Sequence, residues 1–271
     1  MLLEVGKNQV SASHLTDLNQ DELDHWFREH YEDAPRQIIN FFDDEALSFA
    51  GARVADIGSG DGIIDLGLMH QTAPDYLAGF DIHRTDEAAL LEVARAAGVA
   101  EALPDGLEFF ECEDRLIPAE DDSFDRVISW STFEHVKDPV AVVREIRRIL
   151  RPTGVMFLQL YPFFRSAHGS HLWTWFPEGF AQLRMTREEI EARVREEPDR
   201  SSAAWAHERV EDLRSLNEIT LDELQDALYQ GGLTVTKVEL LTSPLHLPLD
   251  LQQYRIADFA ISGIKLVAVP L

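Results

Sequence analysis

The chain of 271 residues has a single cysteine, Cys112, so it forms no internal disulfide and offers no multi-thiolate metal site. Positive charge is also scarce. Against 49 Asp and Glu stand 24 Lys and Arg, a formal net charge of -25. Such a surface repels phosphate backbones and anionic headgroups, and no basic patch offsets it, which argues against nucleic-acid and membrane partners. The densest basic group, Arg144, Arg147, Arg148 and Arg151, falls on the polar side of a predicted helix and reads as a solvated face. No apolar run approaches the roughly 18 residues of a membrane span, and the first residues lack the basic-then-apolar order of a secretory signal. A cytoplasmic protein is expected. Hydrophobic residues make up 45% of the chain, enough to bury a substantial core.

From Arg53 onward, short apolar runs alternate with amphipathic stretches, the pattern of strands joined by crossover helices in a parallel sheet. Strands are expected at 53–57, 76–82, 107–112, 124–130, 155–160, 234–241 and 259–269. Local signals mark several helix ends: Gly98 as a stop, Asp138-Pro139 as a cap followed by proline, and a capping box in Thr220-Leu221-Asp222-Glu223. Arg151-Pro152-Thr153-Gly154 reads as the turn into the fifth strand. Two segments interrupt the alternation. Residues 1–50, with Leu23, Trp26, Phe27, Ile38, Ile39, Phe41 and Phe42, suggest helices that cap the sheet. Residues 162–219 are too long for a simple connection and suggest a lid. The expected division is therefore cap helices at 1–50, a ligand-binding half at 51–161, the lid at 162–219 and the rest of the sheet at 220–271.

The strongest chemical signal is Asp56-Ile57-Gly58-Ser59-Gly60-Asp61-Gly62, an acid ending a strand and three alternating glycines before a helix. Glycine lets backbone approach a ligand closely, and the helix start supplies N–H donors. A dinucleotide fingerprint wants Gly-x-Gly-x-x-Gly, and this loop has Gly-x-Gly-x-Gly instead. Here the sequence resembles the class I S-adenosylmethionine (SAM)-dependent methyltransferases. Further segments carry the likeness to the type 11 branch of that family: Gly79-Phe80-Asp81-Ile82, the Ile117-Pro118 to Ser123-Phe124-Asp125 stretch, and Phe133-Glu134-His135-Val136-Lys137-Asp138-Pro139. The resemblance implies a Rossmann-like, doubly wound, mostly parallel seven-stranded α/β sheet and SAM as cofactor.

On that resemblance, Gly58, Ser59, Gly60 and Gly62 wrap the amino-acid part of SAM, with Asp56 near its amino group. Asp81 accepts both ribose hydroxyls, for which the two oxygens of a carboxylate are suited, and Ile82 follows it. Glu113 or Asp114 holds adenine, and Trp130 and Ser131 lie against the cofactor. Seven of the chain's 25 aromatics, Tyr161, Phe163, Phe164, Trp173, Trp175, Phe176 and Phe180, crowd the start of the lid, as walls of a small-molecule pocket would. Methyl transfer needs a base only when the acceptor is a hydroxyl, and His135, His168 and His171 are the candidates. No metal is assigned. The expected activity is O-methylation of a small molecule, such as a sugar or glycan precursor or a secondary metabolite. The alternatives are N- or C-methylation, or a SAM-binding regulator without catalysis. The motifs specify no oligomeric state.

Overall fold

The computed structural model describes residues 20–43, 48–196, 203–242 and 249–271. Seven strands form one sheet: β1 (Arg53–Ile57), β2 (Tyr76–Asp81), β3 (Leu107–Glu111), β4 (Phe124–Trp130), β5 (Leu150–Leu160), β6 (Leu233–Thr242) and β7 (Ile261–Pro270). Their spatial order is β3-β2-β1-β4-β5-β7-β6. The first five run parallel, and β7 lies antiparallel between β5 and β6. This is the Rossmann-like, mostly parallel sheet that the resemblance implies. From β1 the chain winds outward to β2 and β3, then returns to place β4 on the other side of β1. That reversal opens a crevice at the carboxyl ends of β1 and β4, where ligands of such sheets bind.

Helices cover both faces. α1 (Gln20–Arg28) continues through a wide π turn into α2 (Ala34–Asp43), and these pack with α3 (Ile63–Thr72) and α4 (Glu87–Ala96) on one face. The π turn has a helical cap at each end, so α1 and α2 read as one bent cap helix. α5 (Pro139–Ile149) and α9 (Leu221–Gln230) cover the other face through Val142, Val143, Ile146, Ile149, Leu224 and Leu228. The helix starts follow from local chemistry. Asp86 accepts from the amides of Ala88 and Ala89, Asp138 from that of Ala141, and Thr220 with Glu223 closes the reciprocal box. Residues 1–19 and 44–47 of the expected cap lie outside the described residues.

Between β5 and α9 lie α6 (Ala181–Arg184), α7 (Arg187–Glu196) and α8 (Ala203–Ser215), and a last short helix, α10 (Ile256–Ala260), leads into β7. The insertion has its own core of Phe164, Leu172, Trp175, Phe176, Ile190, Val194, Val210, Leu213 and Leu216. Most of the aromatics expected as pocket walls are therefore core. Phe163 joins the main core and Phe180 a small cluster with Leu251 and Phe259, while Tyr161 and Trp173 remain exposed at 40% and 51%. A long insertion without a strand to lean on must bury its own apolar surface, and large rings do so most effectively.

Two further expectations are revised. Arg151-Pro152-Thr153-Gly154 is a bulge within β5 rather than a turn before it: Phe124 pairs with Leu150 and Arg126 with Val155, so the intervening residues loop out of register. Arg148 is no solvated side chain. Its guanidinium reaches the carbonyls of Ile117 and Ala119 and the carboxylates of Asp121 and Glu145, at 2.7 to 2.9 Å, tying the 117–121 loop to α5. Among the described residues no helix is long and apolar enough to cross a membrane.

Candidate active site

The glycine loop leaves β1 at the crevice. The amide of Gly58 donates to the Phe80 carbonyl at 2.7 Å, which fastens the loop to β2, and that of Gly62 donates to the Ser59 carbonyl at 2.9 Å, which starts α3. Gly58 has φ +86°, and a Cβ there would meet Thr132 Oγ1 at 2.1 Å. A Cβ on Gly60, in contrast, would meet nothing within 4 Å, so the loop's crest faces open space. Asp81 stands at the end of β2 with Oδ2 accepting from the Gly60 amide and Oδ1 from the His83 amide, both at 3.0 Å. Burial raises its carboxyl pKa, and the two amide bonds work against that rise. Ile82 beside it is 49% exposed, an apolar side chain left on the crevice rim.

On the adenine side, Glu113 and Asp114 follow β3 in a short turn where Glu113 bridges to Leu116. Asp114 reaches Lys137 Nζ at 3.6 Å, whereas no ion pair engages Glu113 among the described residues. Asp56 sits beneath the loop rather than on its surface, 2% exposed, and its Oδ1 has no hydrogen-bonding donor among the described residues. The carboxyl it faces is Asp65 of α3, fully buried in a helix whose other near residues are all apolar. Burial pushes both groups up, Asp65 further than Asp56, and the charge of Asp56 adds to the rise at Asp65, so the pair holds a proton between them.

The chain leaving β4 forms the opposite wall. Trp130 stacks on Phe157 at 6.3 Å and packs into the core under the cap helices, while the Ser131 amide and hydroxyl both bond to Gln159 Oε1 at 2.9 and 2.8 Å. Thr132 then abuts Gly58, and the buried Phe133 and Glu134 follow. Asn217 clamps this turn: its Nδ2 donates to the carbonyls of Phe133 and Val136, and its amide to that of Glu134. His171 of the insertion lies over His135, ring centroids 5.6 Å apart and interplanar angle 69°. Donor atoms of Glu134, His135 and His171 lie within 4.8 Å of one another. His168 is in the same lid turn but outside this group, its Nδ1 buried without a partner among the described residues.

Burial decides the charges here. It pushes the Glu134 carboxyl up to about 8. His171 is driven down to about 3, mainly by burial, with His135 and Arg209 adding repulsion. His135 is lowered too, again mainly by burial, with Asp212 opposing and Arg209 assisting. Both imidazoles are consequently uncharged near neutral pH.

Residues 27–238 match the family described as methyltransferase domain, which is most of the chain. The chain belongs to the class I SAM-dependent methyltransferases. A ubiquinone biosynthesis O-methyltransferase of Xanthomonas oryzae pv. oryzae is 34% identical over 113 residues, 41% of this chain and 44% of that protein. Methyltransferase GfsG of Streptomyces halstedii is 35% identical over 105 residues, 39% of this chain and 36% of its own length. The chain thus matches less than half the length of these relatives. A SAM-dependent methyltransferase structure from Aquifex aeolicus superposes with a TM-score of 0.54 at 14% identity, covering 98% of this chain and 100% of that one, and shows the shared fold.

The residues present fit the methyltransferase cofactor. The open crest at Gly60, the amides at the start of α3 and the two-oxygen acceptor Asp81 sit together at one crevice, as a nucleoside with an amino-acid tail requires. The sequence places Trp26 in the cap but does not show its contact with the site, where its Nε1 donates to Asp61 Oδ2 at 2.9 Å and pins α1 over the glycine loop. Sequence reading also missed Asp65, Gln159, Asn217 and the grouping of Glu134 with the histidines. For Asp65 a signal existed: an acid interrupting an otherwise wholly apolar helix face.

Proposed function

We propose that this methyltransferase transfers a methyl group from SAM to a hydroxyl oxygen of a small molecule. The observation that carries the proposal is the uncharged His135–His171 pair beside Glu134, in a turn that touches the glycine loop through Thr132. A hydroxyl must lose its proton as it is methylated, and an amine acceptor reaches the same point with its lone pair alone. A cluster that can receive the hydroxyl's hydrogen is therefore informative. The Xanthomonas relative is named as an O-methyltransferase, which supports the same reading.

In this proposal Gly58, Ser59, Gly60 and Gly62 hold the amino-acid end of the cofactor and Asp81 the ribose, with Ile82 against the base. Glu113 receives the adenine amino group, since Asp114 is already engaged by Lys137. The cofactor supplies a methyl carbon on a positively charged sulfur. Asp56 and Asp65 support the loop from below. Ser131, held by Gln159, and the lid with its buried aromatics align the acceptor and keep water out, which is where most of the acceleration of an in-line displacement arises. His135 and His171 orient the acceptor hydroxyl and take up its hydrogen bond, with His168 in support.

Turnover with a panel of phenols, sugars, hydroxylated secondary metabolites and amines tests the proposal. O-methyl product identified by NMR is expected. Methylation confined to nitrogen or carbon would favour those alternatives, and cofactor binding with no turnover on any class would favour a regulator.

A further inference from the structure

The sequence assigns no metal, and the geometry points to one: we propose that Glu134, His135 and His171 form a binding site for a divalent first-row transition ion. Three observations carry this. The donor atoms already converge within 4.8 Å of one another. Donors bonded to one ion at about 2.0 to 2.2 Å are at most about 4.4 Å apart, so the cluster closes on an ion with small side-chain rotations. Second, the donors are unspent. Both Glu134 oxygens and His171 Nε2 are buried and lack any hydrogen-bond partner among the described residues, and Glu134 is only 3% exposed. Such groups are costly to leave unsatisfied.

The third observation concerns His135. Ser215 Oγ donates to the Asp212 carbonyl at 2.7 Å, which uses its only hydrogen. It must therefore accept from His135 Nδ1, 2.6 Å away, so the proton of that ring sits on Nδ1 and the Nε2 lone pair is free. Fixing the tautomer of an imidazole from its far nitrogen is how proteins prepare a histidine ligand. His171 is also held at φ +61°, a backbone conformation that costs a non-glycine residue and persists where the surroundings impose it. Arg209, whose charge acts on both imidazoles, is paired with Asp212 at 3.0 Å.

A partnerless imidazole nitrogen converging with a carboxylate is what an ion requires of its ligands. Two imidazoles and one carboxylate leave coordination positions open and favour manganese, iron, cobalt or zinc over magnesium or calcium. Resting on the proposed O-methylation, an open position would take the acceptor oxygen and lower its pKa. The hydroxyl proton leaves to solvent, the oxygen forms its bond to the methyl carbon as the carbon–sulfur bond breaks, and neutral S-adenosylhomocysteine and the methyl ether result.

The test uses the full chain, freed of metal by chelator, titrated with Co2+ and followed by visible absorption without cofactor or acceptor. About one equivalent should bind, and His135→Ala, His171→Ala and Glu134→Gln should each abolish the saturable spectrum while retaining the wild-type circular dichroism. Ser215→Ala should weaken binding roughly 10- to 100-fold through the tautomer. Because Glu134 is buried and its variants risk misfolding, pulsed EPR on the Mn2+-loaded wild-type chain gives an independent reading, in which nitrogen couplings from bound imidazole are expected. No saturable Co2+ binding by the wild-type chain, binding unaltered in both histidine variants, or no nitrogen coupling would overturn the site. Metal binding without O-methylation would uphold the site and reject the acceptor class instead.

Discussion

Replacing Gly58 by alanine should damage the fold and the cofactor site together, because two costs coincide there. The residue has φ +86°, so any Cβ faces the left-handed penalty of about 1 to 2 kcal/mol. The added carbon would also lie 2.1 Å from Thr132 Oγ1, 2.3 Å from Cγ2 and 2.7 Å from Cβ. Threonine is stiff at χ1, and no rotation of its side chain moves Cβ, so the backbone of the 131–136 turn or of the loop must give way. Overpacking of this kind costs about 1 to 3 kcal/mol, which brings the total to about 2 to 5 kcal/mol. Against the roughly 5 to 15 kcal/mol of a typical domain, that is a large fraction. Urea unfolding of Gly58→Ala, Thr132→Gly and the double variant measures it. The double variant should recover the steric part, a favourable coupling of about 1 to 3 kcal/mol, and leave the φ penalty. A single variant as stable as wild type, or no coupling with Thr132→Gly, would refute the contact between loop and turn.

Other variants probe neighbouring parts of the site. Asp81→Ala should weaken S-adenosylhomocysteine binding by about 1.5 to 3 kcal/mol, the scale of hydrogen bonds to a charged partner, and should also cost stability because the Gly60 and His83 amides lose their acceptor; calorimetry and urea unfolding read the two effects. Trp26→Phe keeps the stacking on His30 and removes the bond to Asp61, so binding should weaken by about 1 kcal/mol, measured by the same titration. In chelator-treated protein, Glu134 has a carboxyl pKa raised from 4.5 to about 8, so the folded state holds a proton that the unfolded state has released. Its contribution therefore falls as pH rises between those values, and the stability of wild type relative to Glu134→Gln should decline from about pH 5 to about pH 8. A pH-independent difference in chemical denaturation would contradict the buried, unpaired carboxyl.

Where chemistry is local, the sequence was readable. Asp138 and the Thr220–Glu223 box cap the helices they predict, because a side chain two or three residues from an unpaired amide needs no other part of the fold. The glycine loop and Asp81 likewise sit where strand–turn–helix order puts them. The β5 bulge escaped because Pro152 and Gly154 give the same turn signal whether the strand has ended or only loops outward. Lid aromatics looked like pocket walls since composition does not reveal which ring finds a partner within the insertion. His171 meets Glu134 and His135 only after the lid folds back on the β4 turn, and Asn217, from a third segment, holds that turn. Contacts among three distant segments leave no periodicity to read. Arg148 was misjudged for a related reason: its helix position faces the 117–121 loop, which covers what periodicity marks as a polar side.

The central claim is that the glycine loop and Asp81 form a site for SAM rather than for a dinucleotide. Isothermal titration of the full chain with S-adenosylhomocysteine and with NAD+ tests it most directly. The account predicts saturable 1:1 binding of S-adenosylhomocysteine that weakens in Asp81→Ala, and no measurable heat with NAD+. Tight NAD+ binding together with no response to S-adenosylhomocysteine would contradict it.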